Sequence, residues 1–360
     1  GIIVDHASWR WIFFINVPMA LAIATLVLTA AAESRDERVR TIDYRGLALL
    51  TGGLTTIVLG VSRGPELGFA SPMTVGLIGG GCVLLAGFLR HEARAREPLI
   101  RPEIMRHRHM IAASAVGFFS QFAAFSLVIL GVTFVQKAFG LSAFLAGLVF
   151  LPRLLPELLF ARRAGHIADV VGPTVPIGIG MAVIAAATAA VSVLADRSYL
   201  VLVVAFAAVG LGVAVVDAPR RLAAQSSVSR EYQGVVAGIS STTTRLGATF
   251  GIAMLGSVIV GIQYGRSVHL LAQAGVRVNQ GDRFALDSVL ANGNAGAGRL
   301  RQLSPQAAGP IRRAAHDAYT YAFSNSMRVA AVAVAVAGLV SVVLLSSRAE
   351  PVAAPGGRDG

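Results

Sequence analysis

The chain is expected to be an all-α polytopic membrane protein that crosses the bilayer about nine times. Three observations lead there. Hydrophobic residues make up 55% of the 360 positions and charged ones 14%, with a mean hydropathy of +0.68. A soluble domain of that length needs more charge to cover its surface. Apolar runs of roughly 20 residues, the length that spans the hydrocarbon core, recur along the chain. Arginine gathers in the short stretches between them, where it sets topology and meets anionic headgroups. That placement accounts for the net charge of +12 without nucleic acid.

The chain opens on a polar turn, Asp5 to Ser8, that runs into Trp9-Arg10-Trp11. Amphipathic Trp rings and a snorkelling Arg suit the interface between water and lipid. The first span is Ile12–Ala32, with Pro18 in its first two turns, where the missing N–H costs little. A charged loop, Glu33–Arg45, precedes the second span, Leu47–Val61. Gly64-Pro65 and Ser71-Pro72 mark a turn, and Met73–Leu89 is the third span, with a Gly-x-x-x-Gly spacing from Gly76 to Gly80. Its Cys82, the lone cysteine, reads as a small buried hydrophobe.

Arg90–His109 is the most basic short loop and the best domain boundary. The fourth span is Ile111–Val135, carrying Gln121. The fifth, Leu145–Ala164, is interrupted by Arg153, Pro156, Glu157, Arg162 and Arg163, and it ends in a polar turn, Gly165–Pro173. Val175–Ala195 and Tyr199–Val216 follow, the latter closed by Asp217-Ala218-Pro219-Arg220-Arg221. The eighth span is Val235–Ile262, with Gly247 and Gly251 as a second Gly-x-x-x-Gly pair. A polar stretch, Tyr264–Arg328, holds a candidate amphipathic surface helix over Ser304–Phe323. Val329–Leu345 is the ninth span, and the Pro/Gly/Ala-rich tail reads as disordered.

The Arg-rich loops at 33–45, 90–109, 162–174 and 218–233 fall on one side together with the tail. The positive-inside rule makes that side, and the C-terminus, cytoplasmic in a plasma (inner) membrane. The stretch 264–328 then lies outside. With Gly first and no leading segment, the chain reads as the C-terminal part of a longer protein whose N-terminal half is its missing partner.

Several stretches resemble the major facilitator superfamily, in its fourteen-helix drug:proton antiporter branch. Ser8-Trp9-Arg10-Trp11-Ile12-Phe13-Phe14-Ile15-Asn16-Val17-Pro18 is similar to the passage from the fifth to the sixth span of that branch. Gln136-Lys137-Ala138-Phe139-Gly140-Leu141-Ser142, with Ala146-Gly147 and Leu151-Pro152, resembles the link from the ninth to the tenth. Gly165-His166-Ile167-Ala168-Asp169-Val170-Val171-Gly172 resembles the second-half copy of the family's cytoplasmic Gly-x-x-x-Asp-x-x-Gly loop. Gly234 to Gly238, running through Arg245-Leu246-Gly247, resembles the start of the thirteenth. The sequence departs from the family pattern at Val170, Val171, Pro173 and Thr174, at Arg162-Arg163 and at Arg220-Arg221.

The resemblance implies a major-facilitator-type helical bundle. Residues 1–32 would hold the last span of a first bundle, 33–109 two linker spans and a basic loop, 110–348 the second six-helix bundle, and 349–360 the tail. Asp5, Trp9, Arg10, Trp11, Asn16 and Pro18 carry the signature. Gly165, Asp169 and Gly172 would gate the cytoplasmic face: Asp169 would accept backbone N–H groups in a tight turn at a helix start and latch the inward face by pairing with a basic residue of a neighbouring span, the alternative being a solvated turn Asp.

Other candidates come from charge or polarity at membrane depth. Arg245 lies one or two turns inside a helix and either faces a cavity or snorkels. Asp217 either carries a proton or caps against Arg220 or Arg221. Arg153 and Glu157, at i,i+4, form either a buried pair in a substrate path or an interfacial one. Gln121 is a possible cavity residue. The His positions show no metal spacing, no phosphate-cradling loop for ATP is visible, and no enzyme constellation stands out. The expectation is therefore a secondary transporter without cofactor or metal. It would export a small amphipathic or hydrophobic molecule in exchange for protons by alternating access. The alternatives are a non-transporting membrane fragment and a membrane-embedded scaffold or enzyme.

Overall fold

The computed structural model describes residues 10–30, 43–94, 107–226, 228, 232–273 and 305–346, and within them every regular element is helical. In chain order these are α1 (Trp11–Phe14), α2 (Asn16–Ala30), α3 (Tyr44–Leu67), α4 (Pro72–Glu92), α5 (Arg108–Phe139) and α6 (Ala143–Phe150). A short 3-10 turn, Leu151–Arg153, leads to α7 (Leu154–Val171), α8 (Thr174–Leu194), α9 (Tyr199–Gln225), α10 (Gln233–Gln273) and α11 (Pro305–Ser346). Among the described residues eight segments are long and apolar enough to cross a membrane, with α6 to α7 counted as one; α2 is a shorter apolar helix.

The bundle is built around α5, which packs on α9, α10 and α11. Its buried side chains, among them Val116, Leu127 and Phe134, join Ile184 of α8, Phe206 of α9, Leu255 of α10 and Phe323 of α11 in one apolar core. Phe134 and Phe323 stack at 4.3 Å between centroids. Glycines allow the closest approaches. A Cβ at Gly247 or Gly251 of α10 would run into the carbonyls of Phe118 and Phe122 on α5, so backbone lies against backbone there. One at Gly210 of α9 would strike the Arg153 carbonyl.

The α3–α4 hairpin stands beside this bundle. Asp43 caps α3 by accepting the Gly46 N–H at 2.9 Å, and Ser71 with Pro72 starts α4. Asp43 also meets His91 Nε2 at 2.8 Å, tying the two open ends together. The hairpin rests on α10, where Ser257 Oγ donates to the Val61 carbonyl at 2.9 Å. Helix α2 buries none of its residues.

Several boundaries differ from the sequence expectation. Helix α9 does not stop at Val216 but runs through Pro219 to Gln225. Asp217 bonds Arg220 and Arg221 three and four residues on, a spacing that only a helix gives, and Leu222-Ala223-Ala224 favour its continuation. Helix α7 likewise continues through Gly165 to Val171, and the turn shrinks to Gly172-Pro173. Gly172 takes φ +80°, a left-handed value that ends the helix, and Pro173 cannot extend it. The span expected over Leu145–Ala164 is divided at Leu151–Arg153, where Pro152 and Pro156 remove backbone donors.

The stretch 264–328, expected as a loop, is helical at both ends. Helix α10 reaches Gln273, and α11 begins at Pro305. Ala318, Tyr319, Ala322 and Phe323 recur at helical spacing and are buried. This segment is therefore the inner start of the last span, not a surface helix. On α4, Gly76 and Gly80 face open space, and Gly81 makes the close approach to Gly53 and Ile57. Cys82 is exposed on the outer surface, not buried. The expected loops at 33–42 and 95–106 and the tail lie outside the described residues.

Candidate functional site

A cavity of about 690 Å³ opens between α5, α9 and the first half of α10. Its apolar wall is Phe125, Ala248 and Ile252; its polar wall is Gln121, Ser240, Ser241, Thr244 and Thr249, with Arg220, Arg221 and Arg245. Drug-sized pockets in proteins have this volume and this mixture of apolar lining and few polar groups.

Arg220 organises the polar wall. It is 3% exposed, and Gly117 of α5 gives it room, because a Cβ there would lie 3.0 Å from Nη1. Nη1 donates to Ser240 Oγ on α10, and Nη2 donates to Asp217 Oδ1 at 2.6 Å. The other Asp217 oxygen accepts from Arg221 Nη2, also at 2.6 Å. One carboxylate therefore bridges two guanidinium groups while Arg220 links α9 to α10. Such charge-assisted bonds are short and directional. Thr244 and Thr249 turn their hydroxyls back on their own helix, to the Ser240 and Arg245 carbonyls. Gln121 Oε1 is buried and has no hydrogen-bond partner among the described residues.

Arg245 is exposed and lines the cavity from α10. Gln121 lines the same cavity from α5. Asp217 pairs with both arginines. Arg153 and Glu157 pair at 3.6 Å, with Arg153 6% exposed and its guanidinium 5.5 Å from the Phe125 ring centre. That pair thus stands behind the cavity's apolar wall. The sequence marks Arg220 as a cap for Asp217 and as a departure from the family pattern, but not as the buried centre of a cavity, and it does not single out Ser240 or Phe125 as cavity residues. The available signal was two arginines directly after an apolar run, at i+3 and i+4 from a carboxylate.

Other candidates lie apart. Asp169 is in the last turn of α7, exposed, and without a hydrogen bond or ion pair among the described residues. It sits at a helix end, not a helix start, so it accepts no N–H groups there. Gly165 faces Ala218 of α9, and Gly172 closes α7. Arg10, Trp11, Asn16 and Pro18 are exposed around α1 and α2, whereas Asp5 and Trp9 lie outside the described residues. Among the described residues no group of three or more His, Cys, Asp or Glu is placed to hold a metal ion.

Comparison with known proteins adds to this geometry. The family model described as Major Facilitator Superfamily matches residues 1–252. The multidrug resistance protein Stp of Mycobacterium tuberculosis is 29% identical over 259 residues, 72% of this chain and 48% of that protein. The tetracenomycin C resistance and export protein of Streptomyces glaucescens is 29% identical over 258 residues, 71% of this chain and 48% of that protein. The chain spans about half the length of these curated relatives. Among solved structures, a bacterial homologue of the human lysosomal transporter Spinster, inward-facing and occupied, aligns with a TM-score of 0.51. It shares 15% identity over 83% of this chain and 66% of that one.

Proposed function

The chain belongs to the Major Facilitator Superfamily, and on that premise we propose that it supplies one bundle and one cavity wall of a proton-driven exporter of small amphipathic or hydrophobic molecules. The observation that carries this reading is the cavity itself. A pocket with a buried arginine and a row of hydroxyls stands inside an otherwise apolar helical bundle. Ionisable groups at that depth are costly and belong to substrate or ion paths. The drug-resistance names of the relatives point the same way.

In this mechanism two bundles rock about a site near the bilayer midplane. Asp217, with each oxygen engaged by a guanidinium, is the latch: it holds Arg220 and Arg221 and, through Arg220 and Ser240, the α9–α10 link that the rocking motion must strain. Gly165, Asp169 and Gly172, at the end of α7 beside α9, move with that link and gate the cytoplasmic face. The Arg-rich loops and the C-terminus lie in the cytoplasm of the cell membrane, and the proton gradient is the only energy source.

Dye efflux from cells expressing the full-length protein tests the reading. Extrusion should stop when a protonophore collapses the gradient and should fall in Asp217→Asn. Extrusion that continues without the gradient would rule out proton coupling.

A further inference from the structure

We propose that the cavity selects anionic amphipathic solutes, a carboxylate or a phosphate group carried on an apolar body. The inference rests on the cavity's role in transport and names the class of molecule it takes. It starts from a charge count. Arg220, Arg221 and Arg245 line the cavity. From α9 the facing carboxylate is Asp217, shared by Arg220 and Arg221; α5 contributes the neutral Gln121, and α10 contributes Arg245. Among the described residues, three guanidinium groups against one carboxylate leave the wall positive. Glu157 is engaged with Arg153, whose guanidinium lies against Phe125.

A positive wall at membrane depth has a definite preference. A cation entering it adds to an uncompensated field, whereas an anion supplies the missing counter-charge and regains in hydrogen bonds what it loses in water. Arg245 has no hydrogen bond or ion pair from its side chain among the described residues, so its fork of donors is available for bidentate binding. The Arg221 side chain is 63% exposed, and one of its guanidinium nitrogens, Nη2, is bonded to Asp217. The other end of the solute meets Phe125, Ala248 and Ile252. Gln121 Oε1, buried and unpartnered, accepts from a hydroxyl or N–H on the solute's body. The chemistry is thus an anionic head, a flat or branched apolar body and one donor between them. A free solute and an anionic lipid headgroup both offer such a head.

The test uses the full chain in phosphatidylcholine nanodiscs and two dyes of similar shape and opposite charge, carboxyfluorescein and a cationic rhodamine methyl ester. Binding is read by fluorescence anisotropy in salt high enough to screen surface charge. Carboxyfluorescein should bind at least about tenfold tighter than the ester, the worth of one charged hydrogen bond. Arg245→Gln should remove most of that preference, Arg245→Lys should keep part of it, and Arg245→Glu should reverse it. Equal affinity for the two dyes, or affinities indifferent to all three variants, would overturn the proposal. Adding phosphatidylglycerol separates the sources. Unchanged dye affinity assigns the cavity to a solute, and displacement that Arg245→Gln abolishes assigns it to a headgroup. Binding in discs needs no gradient. Anion binding with absent efflux therefore counts against the transport reading alone, and efflux with charge-blind binding counts against this inference alone.

Discussion

Replacing Asp217 by Asn should destabilise the bundle, and the loss should nearly vanish when Arg220 is replaced as well. Arg220 is 3% exposed and bonded to Asp217 Oδ1 at 2.6 Å. Two opposite charges about 4 Å apart interact by about 4 kcal/mol at an effective dielectric constant of 20. Asp217 is 33% exposed and divides its charge between two arginines. Those two facts reduce the expected cost of Asp217→Asn to about 2–3 kcal/mol, most of it the penalty of leaving a buried guanidinium uncompensated. Arg220→Met keeps the stem's packing and leaves Asp217 with Arg221, so it should cost about 1 kcal/mol. The double variant should cost less than the sum of the singles, with a coupling of about 2 kcal/mol. Unfolding of the purified chain by sodium dodecyl sulfate in mixed micelles, followed by circular dichroism, reads all four corners of the cycle. Coupling below about 0.5 kcal/mol would refute the claim that this bridge organises the cavity wall.

Gly247→Leu should cost about 1–3 kcal/mol in the same titration, because its side chain has only the Phe118 backbone to enter, whereas Gly76→Leu, in open space, should stay within about 0.5 kcal/mol. Phe323→Ala removes a fully buried ring stacked on Phe134 and should cost about 3–5 kcal/mol. The Asp43 carboxyl is held below its ordinary value, first by the Gly46 N–H and then by His91. A depressed carboxylate stabilises the fold above its unfolded value and loses that contribution as pH falls through the lower folded value. Melting temperature followed by circular dichroism should therefore drop below about pH 4 more steeply in the wild-type chain than in Asp43→Ala.

The helices were legible because a bilayer demands a long apolar run, and such runs are plain in one sequence. Their ends were less so. Pro219 and Gly165 are helix breakers by propensity, yet Asp217 with its two arginines and the packing of Gly165 on Ala218 outweigh that tendency. The α4 glycines, at positions 76, 79, 80 and 81, offer several faces, and only the neighbour α3 decides that Gly81 is the one used. At the site, Gln121 and Arg245 stood out singly as polar residues on apolar helices. That they share one cavity depends on the registry of α5 against α10, set by Gly247 and Gly251 against the Phe118 and Phe122 carbonyls. Sequence spacing alone carries no information about that registry. Arg220 was misjudged for a related reason: its burial depends on the room that Gly117 leaves on a different helix.

The length of the last two helices has a practical consequence. Phe323 lies level with Phe134, five residues before α5 ends, yet α11 begins at Pro305. At 1.5 Å per residue α11 overruns that end of α5 by about 20 Å. Helix α10 extends in the same direction to Gln273, and Arg266 lies over the Tyr321 ring at 4.7 Å, clasping the two together. A paired stalk therefore rises beyond the level at which its neighbours stop. An antibody fragment that grips this stalk holds the bundle by the end away from the cavity, whose lining on α5 and α10 runs no further along those helices than Phe125 and Ile252.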